Sequence, residues 1–172
     1  MKKILVVVDM QNDFIDGALG TPEAQKILPR VVDKVKNFDG KVIFTRDTHG
    51  EDYLQTQEGR KLPVRHCIRG THGWQIHDSL QTYCVGEPVD KGTFGSTALG
   101  MQMSRMHEEG PIDRIELVGL CTDICVISNA MILKAFLPEI GISVDGACCA
   151  GVTPESHERA LRAMEACQIA VR

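Results

Sequence analysis

Apolar positions in this chain come in short unbroken runs that alternate with stretches of helical spacing. Ile4 to Val8 is such a run, stopping at Asp9, as expected of a strand buried on both faces. Thr21-Pro-Glu then offers an N-cap with proline at the first helical position. Ile27, Val31, Val32 and Val35 follow at helical spacing, predicting a helix to about Asn37 before Asp39-Gly40 turns the chain. Lys41 to Thr45 reads as the second strand and leads into Arg-Asp-Thr-His-Gly. From residue 50 to 75 the periodicity fades among Gly, Pro and charged positions, and a loop of that length inside a compact domain is usually functional. Trp74 to Leu80 reads as a short helix, Tyr83 to Val89 as a third strand ending before Asp90-Lys91-Gly92, and Thr97 to Glu109 as a helix.

The stretch from Ile115 to Ala130 reads as buried strand, tight turn and helix, because its apolar run stops at Gly119 and Val126, Ile127, Ala130, Met131 and Leu133 resume at helical spacing. Pro138-Glu-Ile-Gly closes that helix. Ile142 to Ala150 is a further strand, Pro154 to Cys167 a helix and Ile169 to Val171 a last strand. Strands alternating with helices imply a three-layer α/β/α domain, with a central, mainly parallel sheet and helices on both faces. No repeat or linker divides the chain, so residues 1–172 are expected to form a single domain.

Composition narrows the function. The 172 residues carry a net charge of −4, with 43% hydrophobic and 24% charged positions, enough for a substantial core. Without a Lys/Arg cluster, nucleic acid and anionic membrane are not expected partners. No apolar run approaches spanning length and the start does not resemble a signal peptide, so a cytoplasmic location is expected. Seven cysteines without framework spacing suit a reducing compartment. Adjacent Cys148 and Cys149 lie in an apolar strand and read as core.

In open parallel sheets ligands bind beyond the carboxyl ends of the strands. Four predicted strand ends carry reactive groups: Asp9 after the first, Asp47 and His49 after the second, Lys91 after the third and Cys125 after the fourth. Each has a plain alternative as turn cap, surface residue or filler, but coincidence at all four ends points to a site. Cys125 falls in the first turn of a helix that Thr122 or Asp123 can cap, where free N–H groups and the helix dipole lower a thiol pKa. A thiol, a carboxylate and an ammonium together suit acyl transfer, with the carboxylate moving the proton. The N–H groups of Cys121 and Cys125 can stabilise the oxyanion.

The segments Asp9-Met-Gln-Asn-Asp-Phe14, Lys91-Gly-Thr-Phe and Gly119-Leu-Cys-Thr-Asp-Ile-Cys125-Val resemble, over nearly the whole chain, the three motif regions of the isochorismatase-like cysteine hydrolases, which include nicotinamidases. The resemblance implies Asp9, Lys91 and Cys125 as catalytic triad and a non-proline cis peptide at Leu120-Cys121. Phe14 is the best wall for a substrate ring, although a lone aromatic there also suits the core.

The second strand selects the branch. Asp47 and His49 are two apart, so both can point one way in an extended segment, and His66 returns after the long loop. Two imidazoles and a carboxylate suit a divalent transition metal, zinc first, with iron or manganese as alternatives. The pattern resembles the nicotinamidase ligand set, in which the metal holds the pyridine nitrogen of the substrate. Glu58 is an extra candidate ligand, whereas His72, His77, His107 and His157 read as ordinary histidines. Leu62 and Thr48 stand where nicotinamidases usually carry aromatic side chains.

The expected function is therefore a metal-containing cysteine amidohydrolase, cleaving a small amide such as nicotinamide to the acid and ammonia, in a protein that assembles as a homo-oligomer. The alternatives are a carbamoyl, ureido or vinyl-ether substrate on the same fold, or a non-catalytic scaffold.

Overall fold

A computed structural model describes residues 2–172 and builds them around one sheet. The strands are β1 (Lys2–Val8), β2 (Lys41–Asp47), β3 (Val89–Lys91), β4 (Ile112–Leu120), β5 (Gly141–Ala150) and β6 (Ala170–Val171). They lie in the order β3-β2-β1-β4-β5-β6, and every pairing is parallel. The helices are α1 (Asn12–Ile15), α2 (Pro22–Lys36), α3 (Gln57–Lys61), α4 (Asp78–Gln81), α5 (Thr97–Glu109), α6 (Ile127–Phe136) and α7 (Pro154–Ala166).

The pleat of β1 explains its apolar run, since alternate side chains feed two cores. Ile4, Val6 and Val8 pack with Leu99 and Met103 of α5, Ala130 and Leu133 of α6, and Leu161 and Met164 of α7. Leu5 and Val7 pack on the other face with Ala24, Ile27, Val31 and Val35 of α2. Side-chain caps start the longer helices: Thr21 Oγ1 accepts from Ala24 N at 3.0 Å, and Thr153 forms a reciprocal box with Ser156 before Pro154.

The order in which strands are added to the sheet reverses between β1 and β4, the place where such a topology opens a crevice. Gly119 makes the close approach there possible. Its φ is +118°, and a Cβ would sit 2.2 Å from the Val8 carbonyl oxygen.

Several elements differ from expectation. The third strand is only Val89–Lys91, because Tyr83 to Pro88 turns through backbone bonds such as Tyr83 N to Leu80 O and Cys84 N to Gln81 O. The helix expected from Trp74 to Leu80 shrinks to α4, since the Gln75 and His77 N–H groups donate to turn and loop carbonyls. Residues 50–75 are not featureless but contain a 3₁₀ turn, Tyr53–Gln55, and α3. Strand β2 extends through Asp47, so Asp47 and Lys91 are the last residues of neighbouring strands and lie side by side in register.

Candidate active site

Asp9 and Cys125 lie beyond adjacent strands β1 and β4, with Lys91 ending β3 two strands away from β1. The Lys91 ammonium joins them. Its Nζ is 2.6 Å from Asp9 Oδ2, 3.5 Å from Cys125 Sγ and 3.4 Å from Asp47 Oδ1, and it donates to Thr93 O at 3.1 Å. All four interacting side chains are buried.

The electrostatics divide these groups. Burial would lower the Lys91 pKa, but Asp9, Cys125 and Asp47 outweigh it and keep the ammonium charged. Burial raises the Asp9 carboxyl pKa despite Lys91, so Asp9 is a stronger base than an ordinary carboxylate. Burial also opposes ionisation of Asp47, yet bonds to His49 and His66 and the Lys91 charge hold it well below the usual carboxylate range. The Cys125 thiol is pushed well above its ordinary value, by burial first and then by the Asp9 charge, with Lys91 opposing.

That direction corrects the expectation of a thiol activated at rest by a helix start. Cys125 lies within a π-helical turn, Thr122–Val126, that precedes α6, and neither Thr122 nor Asp123 caps it. Thr122 Oγ1 instead bonds His157 Nδ1 at 2.7 Å, and Asp123 Oδ1 accepts from Val152 N at 3.2 Å. The Cys121 carbonyl accepts from both Ile124 N and Val126 N, closing the turn. The Leu120–Cys121 peptide bond is cis. The thiol therefore rests protonated beside a base, an arrangement suited to proton transfer during attack.

Asp47, His49, Glu58 and His66 form a second cluster whose nearest ligand atoms all lie within 4.8 Å of one another. His49 Nε2 is 2.9 Å from Asp47 Oδ2 and 3.6 Å from Glu58 Oε1, and His66 Nε2 is 3.7 and 3.8 Å from the same two oxygens. His49 N and O bond Cys67 O and Arg69 N, a strand-like bridge that returns the chain after the long loop and delivers His66. His66 Nδ1 donates to Val64 O at 2.8 Å, which leaves Nε2 free to accept a ligand bond.

These residues fit a divalent cation. Asp47 and Glu58 bring two carboxylates against two imidazoles, and a divalent ion would balance both charges. Glu58 and His66 both shift toward holding protons. Burial and then the Asp47 charge do this for Glu58, while at His66 bonds to Asp47 and Val64 overcome burial. Mixed imidazole and carboxylate donors suit zinc, iron or manganese.

A cavity of about 160 Å³ joins the clusters. Phe14, Leu19, Leu62, Phe94, Ile124 and Val152 supply apolar walls, while Asp47, Glu58, His66, Cys121 and Cys125 supply polar ones. The sequence reading identified Phe14 but missed Phe94, which lies only three residues beyond Lys91. It also missed Gln11, a buried amide that pairs with the backbone of Asp47 like a neighbouring strand. Its Oε1 accepts from Asp47 N at 2.7 Å and its Nε2 donates to Asp47 O at 2.8 Å. A glutamine beside an apolar strand end was the available signal, because a buried amide must find partners.

Comparison with known proteins places the chain. The isochorismatase domain family matches residues 3–172. The chain is 26% identical over 144 residues to the nicotinamidase/pyrazinamidase of Mycobacterium tuberculosis, covering 74% of this chain and 76% of that protein. The structure of the pyrazinamidase of Pyrococcus horikoshii in complex with zinc superposes with a TM-score of 0.80 at 26% identity, covering 100% of this chain and 99% of that one. N-carbamoylsarcosine amidase from Thermoplasma acidophilum superposes with a TM-score of 0.76 at 27% identity, covering 100% and 96%.

Proposed function

The chain belongs to the isochorismatase family of hydrolases, and on that premise we propose that it is a metal-containing cysteine amidohydrolase for a small, uncharged, single-ring amide such as nicotinamide or pyrazinamide. The cavity carries this reading. At about 160 Å³ it is close to the roughly 150 Å³ of an engineered apolar cavity that accepts benzene. Its lining contains no Lys or Arg, so the carboxylate of a carbamoyl amino acid or of isochorismate would find no basic side chain to pair with there. An uncompensated buried charge costs about 3–5 kcal/mol, more than a factor of about 100. Phe94 with Phe14 supports a flat ring despite Leu62 and Thr48.

In the proposed reaction Asp9 takes the Cys125 proton as sulfur attacks the amide carbon, and returns it to the departing ammonia. A thioester remains on Cys125. Asp9 then removes a proton from water as that water attacks the thioester, the acid is released and the proton returns to sulfur. Lys91 holds the carboxylate and the sulfur in place, and the Cys121 and Cys125 N–H groups receive the developing oxyanion. Asp47, His49, Glu58 and His66 would hold the metal, which when bound supplies a Lewis-acidic position for a ring nitrogen.

Ammonia release from nicotinamide, pyrazinamide, benzamide and an N-carbamoyl amino acid tests the reading. The ring amides should exceed the carbamoyl acid by at least about 100-fold in kcat/KM. Turnover of the carbamoyl acid alone would replace the substrate class.

His49→Ala should lower the metal content of the purified protein by at least about tenfold. It should weaken nicotinamide and pyrazinamide more than benzamide, which lacks a ring nitrogen. Equal losses on all three amides would detach the metal from substrate recognition.

A further inference from the structure

We propose that Thr45 is a positioning residue for the base, fixing through one hydroxyl both the backbone and the carboxylate of Asp9. This rests on the role proposed above for Asp9. Thr45 lies on β2, fully buried, and its Oγ1 donates to Asp9 Oδ1 at 2.6 Å while accepting from Asp9 N at 3.2 Å. An amide can only donate and an ionised carboxylate can only accept, so the hydroxyl has a single consistent orientation. Thr45 closes a ring around one residue.

Asp9 needs such a hold because its φ is +47°, a left-handed conformation in which the Cβ of a non-glycine residue crowds the following carbonyl. The hydroxyl stabilises that bend at the amide and also fixes the carboxylate plane. With Oδ1 engaged by Thr45, Oδ2 is left facing Lys91 Nζ at 2.6 Å, with no other donor among the described residues. Oδ2 is therefore the oxygen available to the thiol proton. Thr45 touches neither cavity nor sulfur and acts only through Asp9.

The serine and valine variants separate positioning from simple satisfaction of a buried polar group. Thr45→Ser keeps the hydroxyl, whereas Thr45→Val keeps the shape and loses both bonds. In the metal-loaded protein Thr45→Val should lower kcat for nicotinamide by about 100-fold, the usual scale for a displaced catalytic group, with KM changed less than about threefold. Thr45→Ser should stay within about tenfold of wild type.

Iodoacetamide labelling of the Cys125 peptide, followed by mass spectrometry, gives a readout that needs no substrate. Thr45→Val, which keeps the Asp9 charge but releases its carboxylate, should slow labelling by at least about tenfold. A folded Thr45→Val protein that labels and turns over like wild type would overturn the proposal while leaving the role of Asp9 intact, as would a serine variant as impaired as valine. If Asp9→Asn itself turns over nicotinamide like wild type, the base fails and Thr45 with it. If wild type labels rapidly but cleaves none of the amides, the substrate reading fails and the labelling ratios alone decide Thr45. If Thr45→Val does not fold, Thr45→Ser decides alone: turnover and labelling within about tenfold of wild type support the proposal, and a larger loss of either in the folded serine variant overturns it.

Discussion

Cys125→Ala is expected to reduce amide turnover to background while leaving the protein folded and its metal content unchanged. A methyl group neither attacks a carbonyl nor carries an acyl group, so no fraction of the covalent route survives. The structural cost is small by comparison. Removing one buried sulfur, at a position whose only polar side-chain contact is the 3.5 Å approach of Lys91, belongs among substitutions worth about 1 kcal/mol. Asp47 remains beside Lys91, and the candidate metal cluster draws no atom from Cys125. Ammonia release, thermal melting and elemental analysis on one preparation check all three statements, and appreciable activity in the folded variant would remove the thioester mechanism.

Asp9→Asn is expected to cost at least about 100-fold in kcat, because it removes the group proposed to accept and return the proton. It also leaves Lys91 without its 2.6 Å partner in a buried place, so stability falls as well. The double variant Asp9→Asn, Lys91→Met removes both charges, should recover much of that stability, and should remain inactive. The pH dependence gives a further sign. With no base beside the thiol, and with burial still raising its pKa although the Asp9 charge is gone, the residual rate of Asp9→Asn should climb with pH up to the variant's own thiol pKa, since the thiolate fraction rises about tenfold per unit below it. A flat profile with near-wild-type turnover would reduce Asp9 to a turn residue.

The long elements were legible because pattern and burial agree. Five consecutive apolar residues in β1 can only be satisfied between two cores, and Thr21-Pro22 starts α2 where its cap was expected. Lys91, by contrast, sits in a three-residue edge strand with polar neighbours and little periodicity, so its strand was placed several residues early. Glu58 was visible as a loop acid but not as part of α3, whose five residues include Gly59 and only one cap to announce it. Thr45 escaped because a threonine directly after Val42-Ile43-Phe44 reads as an ordinary strand former. Its hydroxyl gains meaning only once β1 and β2 are paired. The resting state of Cys125 was misread for a related reason: a sequence shows a helix start, but not the burial and the neighbouring carboxylate that outweigh it.

The walls of the cavity have a different footing from its reactive groups. Asp9, Asp47, Lys91 and Cys125 stand at the ends of four adjacent strands and are buried, so exchanging one disturbs the sheet's own charge balance. Leu62, Phe94 and Val152 project from connecting segments and are 39%, 42% and 51% exposed. Substitutions at exposed positions of this kind usually shift stability by no more than about 0.5 kcal/mol. Selection or a designer can therefore recut the mouth of the cavity at these three places for a wider or more polar amide, on a scaffold that barely registers the change.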